Sequence, residues 1–185
     1  IVRSKDQLGA LAASFNQMTE YVQQLVKERV QKERLERELE IAKEVQEQLF
    51  PDHAPEMDRI DVAGGCLPAR VVSGDYYDFL PLGAHELGMA VGDICGKGIS
   101  AALLMANLQA CFRTQDPLAF GSLPTLIRSV NELFYQSSLP EFYATLFIGI
   151  YDEADNRLVC ANCGHNPPLL MHSSGEAEWI SSTST

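Results

Sequence analysis

After residue 50 the sequence has one lysine, Lys97, and five arginines against sixteen acidic residues, a net of −10 out of the chain's −11. A nucleic-acid surface needs clustered cations, so this stretch argues against binding a phosphate backbone. It fits a site that collects metal ions, as it also fits an acidic surface that keeps the chain soluble. The five cysteines (Cys66, Cys95, Cys111, Cys160, Cys163) are odd in number and lack the spacing of a disulfide framework. They are read as reduced thiols in a cytosolic setting. There is no secretory leader and no apolar run of the roughly 18 residues that a membrane span takes. The chain as given is therefore expected to be soluble and cytoplasmic.

Proline is absent from Asp6 to Phe50, and Gly9 is the only glycine there. Leu8, Leu11, Phe15, Met18, Val22 and Leu25 step by three and four, the spacing of a coiled-coil seam. A second seam reads Leu35, Leu39, Ala42 and Leu49, and the ten residues from Leu25 to Leu35 shift its phase. Between them "VKERVQKERLERELE" is charged, with Glu33–Arg37 attractive and Glu36–Glu40 repulsive at four-residue spacing. A solvated single helix packed by one face would carry the same residues. Two seams joined by a phase break favour a dimeric signalling helix that can exist in two packings.

Pro51 stops the helix, and "FPDHAPEMD" is a linker. The pattern then changes to short apolar runs with turns: Ile60–Leu67, Tyr76–Leu80, Leu87–Val91, Tyr143–Tyr151, Leu158–Ala161 and Leu169–Met171 read as strands. Ile99–Arg113, apolar almost all round, reads as a buried helix. Leu123–Gln136 is amphipathic, with Leu126, Val130 and Leu133 on one face. Strand pairs separated by a helical pair suggest an α+β sandwich rather than a doubly wound parallel sheet.

Asp75 and Asp93 each follow a glycine inside apolar, strand-like sequence. Glycine there removes bulk and permits unusual backbone angles, letting the backbone approach a ligand. Asp75 and Asp78, three apart on a strand, would point to opposite faces, so only one can join Asp93. Carboxylates at strand ends suit Mg²⁺ or Mn²⁺ better than zinc, and ordinary turn or capping aspartates would read the same on spacing alone. Other constellations are weaker. "GDICGKG" has three residues between its glycines where a P-loop has four, and Gly98 stands where Ser or Thr should be. Cys160-Ala-Asn-Cys163-Gly-His165 lacks a second matched pair for zinc. No Gly-x-Ser-x-Gly elbow occurs.

Two resemblances add to this. "SKDQLGALAASFNQMTEYV" resembles the second helix of a HAMP domain, with Asp6, Leu8-Gly9 and Phe15-Asn16-Gln17-Met18-Thr19 at the matching places. It implies that residues 1–26 are the C-terminal part of such a module, that 27–50 are a coiled-coil linker, and that the chain is a piece of a longer receptor anchored in the membrane. "EIAKEVQEQLFP", "SGDYYDF", "VGDICGKGISAALLM", "FYATLFIGIYD" and "CANCGHNPPLLM", in that order, resemble the SpoIIE branch of the metal-dependent type 2C (PPM) protein phosphatases. For residues 51–185 this implies two antiparallel sheets flanked by helices, with two Mn²⁺ or Mg²⁺ ions between the sheets. It also implies hydrolysis of phosphoserine or phosphothreonine on a STAS-like anti-sigma-factor antagonist. Asp93 matches the aspartate that bridges both metals, the Ile94 carbonyl the main-chain ligand after it, and Asp75 the acidic residue of the first block. Asp78 is a weaker carry-over, and His165 and Asn166 match a structural turn. Cys163 stands where a small residue is usual. The family's later Thr-Asp-Gly and Asp-Asp blocks, which supply further metal carboxylates, do not occur here. The alternative is a catalytically incomplete coiled-coil binding module.

Overall fold

Forty-one residues without proline form one helix, α1 (Gln7–Glu47), in the computed structural model, which describes residues 7–83, 85–116 and 120–180. The chain divides into two units, residues 1–41 and 42–185. In the first, the seam residues Leu11, Phe15, Met18, Val22, Leu25 and Leu35 are all exposed, and Leu39 is half-buried. Asp6 and the side chain of Leu8 lie outside the described residues. The charged middle is laced by exposed pairs four residues apart, Arg29–Glu33 and Arg34–Glu38 at 3.0 Å and Lys32–Glu36 at 3.7 Å. Each is worth about 0.3–0.5 kcal/mol. Glu33 thus meets Arg29, and the expected Glu33–Arg37 pair is not among the ion pairs of the described residues. No helix among those residues is long and apolar enough to cross a membrane.

In the second unit, β1 (Asp75–Pro81), β2 (Glu86–Ile94), β3 (Ala144–Asp152) and β4 (Arg157–Cys163) form one antiparallel meander in the order 1-2-3-4. Between β2 and β3 the chain makes α2 (Ile99–Arg113) and α3 (Leu123–Ser137). After β4, β5 (Leu169–Met171) and β6 (Ala177–Trp179) form a separate two-stranded hairpin. The architecture is the expected α+β with antiparallel sheets, the second sheet being this hairpin among the described residues.

One face of the meander is the core. Tyr76, Leu80, Ala90, Ile94, Leu146 and Ile148 from the strands meet Ala101, Met105, Leu108 and Phe112 of α2 and Leu126, Val130 and Phe134 of α3. The alternating burial of β1 and β2 gives each strand a core face and a more open face. The end of α1 joins this core. Ala42, Val45, Gln46 and Leu49 line an apolar cleft of about 190 Å³ with Val72 and with Ile99, Ala102 and Leu103 of α2.

Three expectations change. Ile60–Leu67 is irregular rather than a strand, and it touches β1 through a side chain: a Cβ on Gly64 would come 2.6 Å from the Tyr77 ring. Helix α2 is not buried all round, since Ile99 and Leu103 are 51% and 66% exposed. On α3 the inward position belongs to Phe134, while Leu133 turns out to 40% exposure. Leu126→Ala should therefore cost about 2–5 kcal/mol, as a buried leucine does. Leu133→Ala should cost under about 1 kcal/mol. Urea denaturation of the two variants checks which face is inside.

Candidate metal centre

Asp75 opens β1 and Asp93 lies near the end of β2, and the register sets them directly opposite each other. Both side chains are exposed, on the face away from the helices. Two like charges across a strand pair repel, and neither carboxylate is in an ion pair among the described residues. The two glycines before them act differently from expectation. Neither has a positive φ. They make room for neighbouring protein rather than for a ligand. A Cβ on Gly74 would sit 2.9 Å from the Ile94 carbonyl and 3.1 Å from Ala101 Cβ, and one on Gly92 would sit 2.8 Å from the Thr145 carbonyl. The unusual angles occur instead at Gly96 (φ 106°) and Gly98 (φ 76°), which turn the chain from β2 into α2. Gly98 caps α2 without a side chain, so no capping side chain meets the helix's first N–H groups.

A cavity of about 250 Å³ holds Asp75 and Asp93 together with Ser73, Gly74, Gly96 and Gly98, and its wall includes two cations, Arg70 and Lys97. Ser73 Oγ donates to Asp75 Oδ2 at 2.6 Å and accepts the Asp75 N–H at 3.1 Å. Ser73 is itself held by Gln46, whose Nε2 donates to the Ser73 carbonyl at 2.7 Å and whose Oε1 accepts the Ser73 N–H at 2.9 Å. Burial, then the negative charge of Asp75, pushes the Cys66 thiol up, so Cys66 belongs to the same neighbourhood.

On the β3 side Thr145 pairs with Asp93. Its Oγ1 donates to the Asp93 carbonyl at 3.5 Å and lies 2.8 Å from His165 Nδ1. Asn162 Oδ1 accepts the His165 N–H at 2.7 Å and Asn162 Nδ2 donates to the His165 carbonyl at 3.0 Å, closing a turn in which Gly164 has φ 75°. Burial pushes the Cys163 thiol up, and all five cysteines are free.

Asp78 is not brought to the pair. It lies on the core face, fully buried, with Arg113 Nε and Nη2 each donating to it at 3.0 Å. The Phe79 N–H and the Tyr76 hydroxyl donate to it as well. Burial, then the Asp78 charge, pushes the Tyr76 phenol far up. The period of two along β1 separates Asp78 from Asp75, and both Asp78 oxygens are committed.

The donor set suits a hard divalent cation by its chemistry: two carboxylates, in register on adjacent strands, line one cavity and offer oxygen ligands. Among the described residues no group of three or more His, Cys, Asp or Glu converges. The pair would thus supply two of the about six oxygens such an ion takes.

Gln46, Ser73 and Thr145 escaped the sequence reading. Gln46 had a visible signal: it fills the place between Ala42 and Leu49 where the second seam calls for an apolar residue. A polar residue in such a seam has a partner to meet.

Residues 83–185 match the family model described as "Stage II sporulation protein E (SpoIIE)". The chain belongs to the SpoIIE family. It is 28% identical over 211 residues to the protein IcfG of Synechocystis sp., covering 97% of this chain and 32% of that protein. It is 29% identical over 137 residues to the phosphoserine phosphatase RsbU of Bacillus subtilis, covering 70% of this chain and 38% of that one. The chain thus spans about a third of the length of these curated relatives. The solved PP2C phosphatase domain of SpoIIE from Bacillus subtilis superposes with a TM-score of 0.52 at 23% identity, over 61% of this chain and 32% of that one. The shared fold is therefore that of a SpoIIE-type PP2C phosphatase.

The position of Asp78 in this SpoIIE-family chain gives a direct test. Asp78→Asn should lower stability by about 3 kcal/mol, the low end for breaking a buried pair because Arg113 is half in solvent. It should leave Mn²⁺ affinity unchanged. Chemical denaturation and calorimetric titration of the same variant separate the two effects.

Proposed function

We propose that this chain carries part of the catalytic centre of a signalling serine/threonine protein phosphatase that uses Mn²⁺ or Mg²⁺. The observation that carries the reading is the Asp75–Asp93 pair, set in register on adjacent strands and lining one cavity, with neither carboxylate in an ion pair among the described residues. Its support is the SpoIIE family and the relative named a phosphoserine phosphatase. Asp75, Asp93 and the Ile94 carbonyl would hold the ions, with water and residues beyond these completing the set. When bound, such ions supply an acidified water and offset phosphate charge. The chain's own part is to place the substrate. Arg70 and Lys97 in the cavity wall can meet a phosphate dianion. The substrate proposed is a phosphoserine or phosphothreonine on a STAS-like, partner-switching anti-sigma-factor antagonist.

The exposed seam of α1 supports the rest of the proposal. Residues 1–26 are read as the end of a HAMP module, 27–50 as a coiled-coil linker that pairs two chains in parallel, and 51–185 as the phosphatase domain. The longer protein would be anchored in the membrane ahead of them. A second reading, a binding module without turnover, is favoured by one observation: among the described residues no third acidic, His or Cys side chain joins the pair. Mn²⁺-dependent release of phosphate from a phosphoserine protein separates the two.

In the longer protein, Asp93→Ala should abolish that turnover. Its stability without metal should hold or rise, since removing one of two facing like charges relieves repulsion. Activity within a few-fold of the unmodified protein would sink the metal assignment. Insertions between Leu25 and Leu35 should change activity non-monotonically, because seam phase repeats about every seven residues. Light scattering that finds a monomer well above micromolar concentration would count against the paired helix.

A further inference from the structure

Two glutamines of the second unit are buried to the same degree, Gln46 and Gln109 at 5% exposure each, and neither belongs to the acidic pair. Both hold the end of α1. Gln109 of α2 donates to the Leu49 carbonyl. Gln46 does something different, because both ends of its amide are spent on one residue, Ser73. Its side chain stands in for a neighbouring strand, satisfying a buried N–H and carbonyl that would otherwise be orphaned. Ser73 then grips Asp75 twice, through the carboxylate at 2.6 Å and the amide at 3.1 Å. Among the described residues Asp75 Oδ1 accepts no hydrogen bond, so the grip fixes one oxygen and leaves the other for a ligand.

We propose that Gln46 is a positioning residue for Asp75: acting through Ser73, the last turns of α1 fix the backbone and carboxylate of one member of the acidic pair. The proposal rests on the reading of Asp75 as a metal ligand. Its geometric half can be read without metal. The link is in series, since Gln46 reaches Asp75 only by way of Ser73 in the bonds described. Loss of either member should then have the same consequence, and loss of both should add little. Gln109 supplies the contrast, because it anchors the same helix end without touching Ser73.

The experiment compares Gln46→Leu, Ser73→Ala, their double variant and Gln109→Leu in the 185-residue chain. Amide hydrogen exchange at Asp75 is measured without metal, and Mn²⁺ affinity is measured by calorimetric titration. Gln46→Leu and Ser73→Ala should each speed exchange at the Asp75 amide by about tenfold or more. Each should weaken Mn²⁺ binding about tenfold, the low end for a partner that orients a ligand, and the double variant should be no worse than either alone. Gln46→Glu, which keeps the acceptor for the Ser73 N–H, should recover part of both losses. Gln109→Leu should lower the melting temperature and leave both readouts in place. Unchanged Asp75 exchange in Gln46→Leu, or equal losses from Gln109→Leu, overturns the positioning role whatever the metal does. Faster exchange with Mn²⁺ affinity unchanged supports the link from Gln46 to Asp75 and overturns instead the reading of Asp75 as a metal ligand. Should Gln46→Leu fail to fold, Ser73→Ala removes a single oxygen from the same link and carries the test.

Discussion

β1 and β2 pair with Asp75 opposite Asp93 and Asp78 opposite Ala90, and the rest of the site depends on that register. A slip of one residue would exchange the faces of the strand, turning Asp75 toward the helices and Asp78 away from them. The acidic pair cannot hold the register itself, because its like charges favour separation. What holds it lies on the other face. Asp78 is reached by the forked guanidinium of Arg113 at the end of α2, and Tyr76 stacks on Phe112 with ring centres 6.0 Å apart. Both contacts exist in one register only. A buried ion pair adds little net stability, yet breaking it leaves a buried charge without a partner. It therefore penalises the slipped pairing more than it rewards the native one.

The same logic assigns the glycines. Gly74 and Gly92 sit where a strand carbonyl, and at Gly74 the Ala101 side chain of α2, come within a Cβ's reach, and Gly96 and Gly98 sit where the chain takes positive φ. The first pair lets β1, β2, β3 and the start of α2 close up around the aspartates. The second lets the chain leave β2 and enter α2 within a few residues. An alanine in the first pair meets a carbonyl, whereas in the second it meets an unfavourable backbone angle.

Much of this was legible in the sequence, for reasons that differ by element. The span of α2 is as read because neither glycine nor proline interrupts it and Gly98 marks its start. The cores of β1 to β4 were visible as apolar runs between turns, and the opposite facing of Asp75 and Asp78 follows from strand period alone. Ile60–Leu67 misled because composition alone does not make a strand: among the described residues β1 keeps a free edge, yet this run does not pair with it, and at Gly64 it meets the Tyr77 side chain instead. β6 went unread since three residues show no period. On α3, Leu133 and Phe134 are adjacent and either could continue the face from Val130. Only the shape of the core chooses between them.

The polar connections were hidden for a more general reason. Ser73 before β1 and Thr145 within β3 are ordinary residues for their places, and their importance comes from what the fold sets beside them, Asp75 in one case and Asp93 with His165 in the other. Gln46 is the exception, because its seam position is an anomaly that periodicity itself exposes. Along α1 one stripe of the helix changes character. Up to Leu35 its apolar side chains stand in solvent, while from Ala42 to Leu49 it faces Val72 and α2 across the apolar cleft. An apolar residue at position 46 would suit that cleft as well as glutamine does, and more simply. Glutamine there makes sense only with Ser73 as its partner, since a buried amide costs free energy unless both of its ends are satisfied. The composition of the helix end therefore answers to the strand that begins the acidic pair, not to the packing around it.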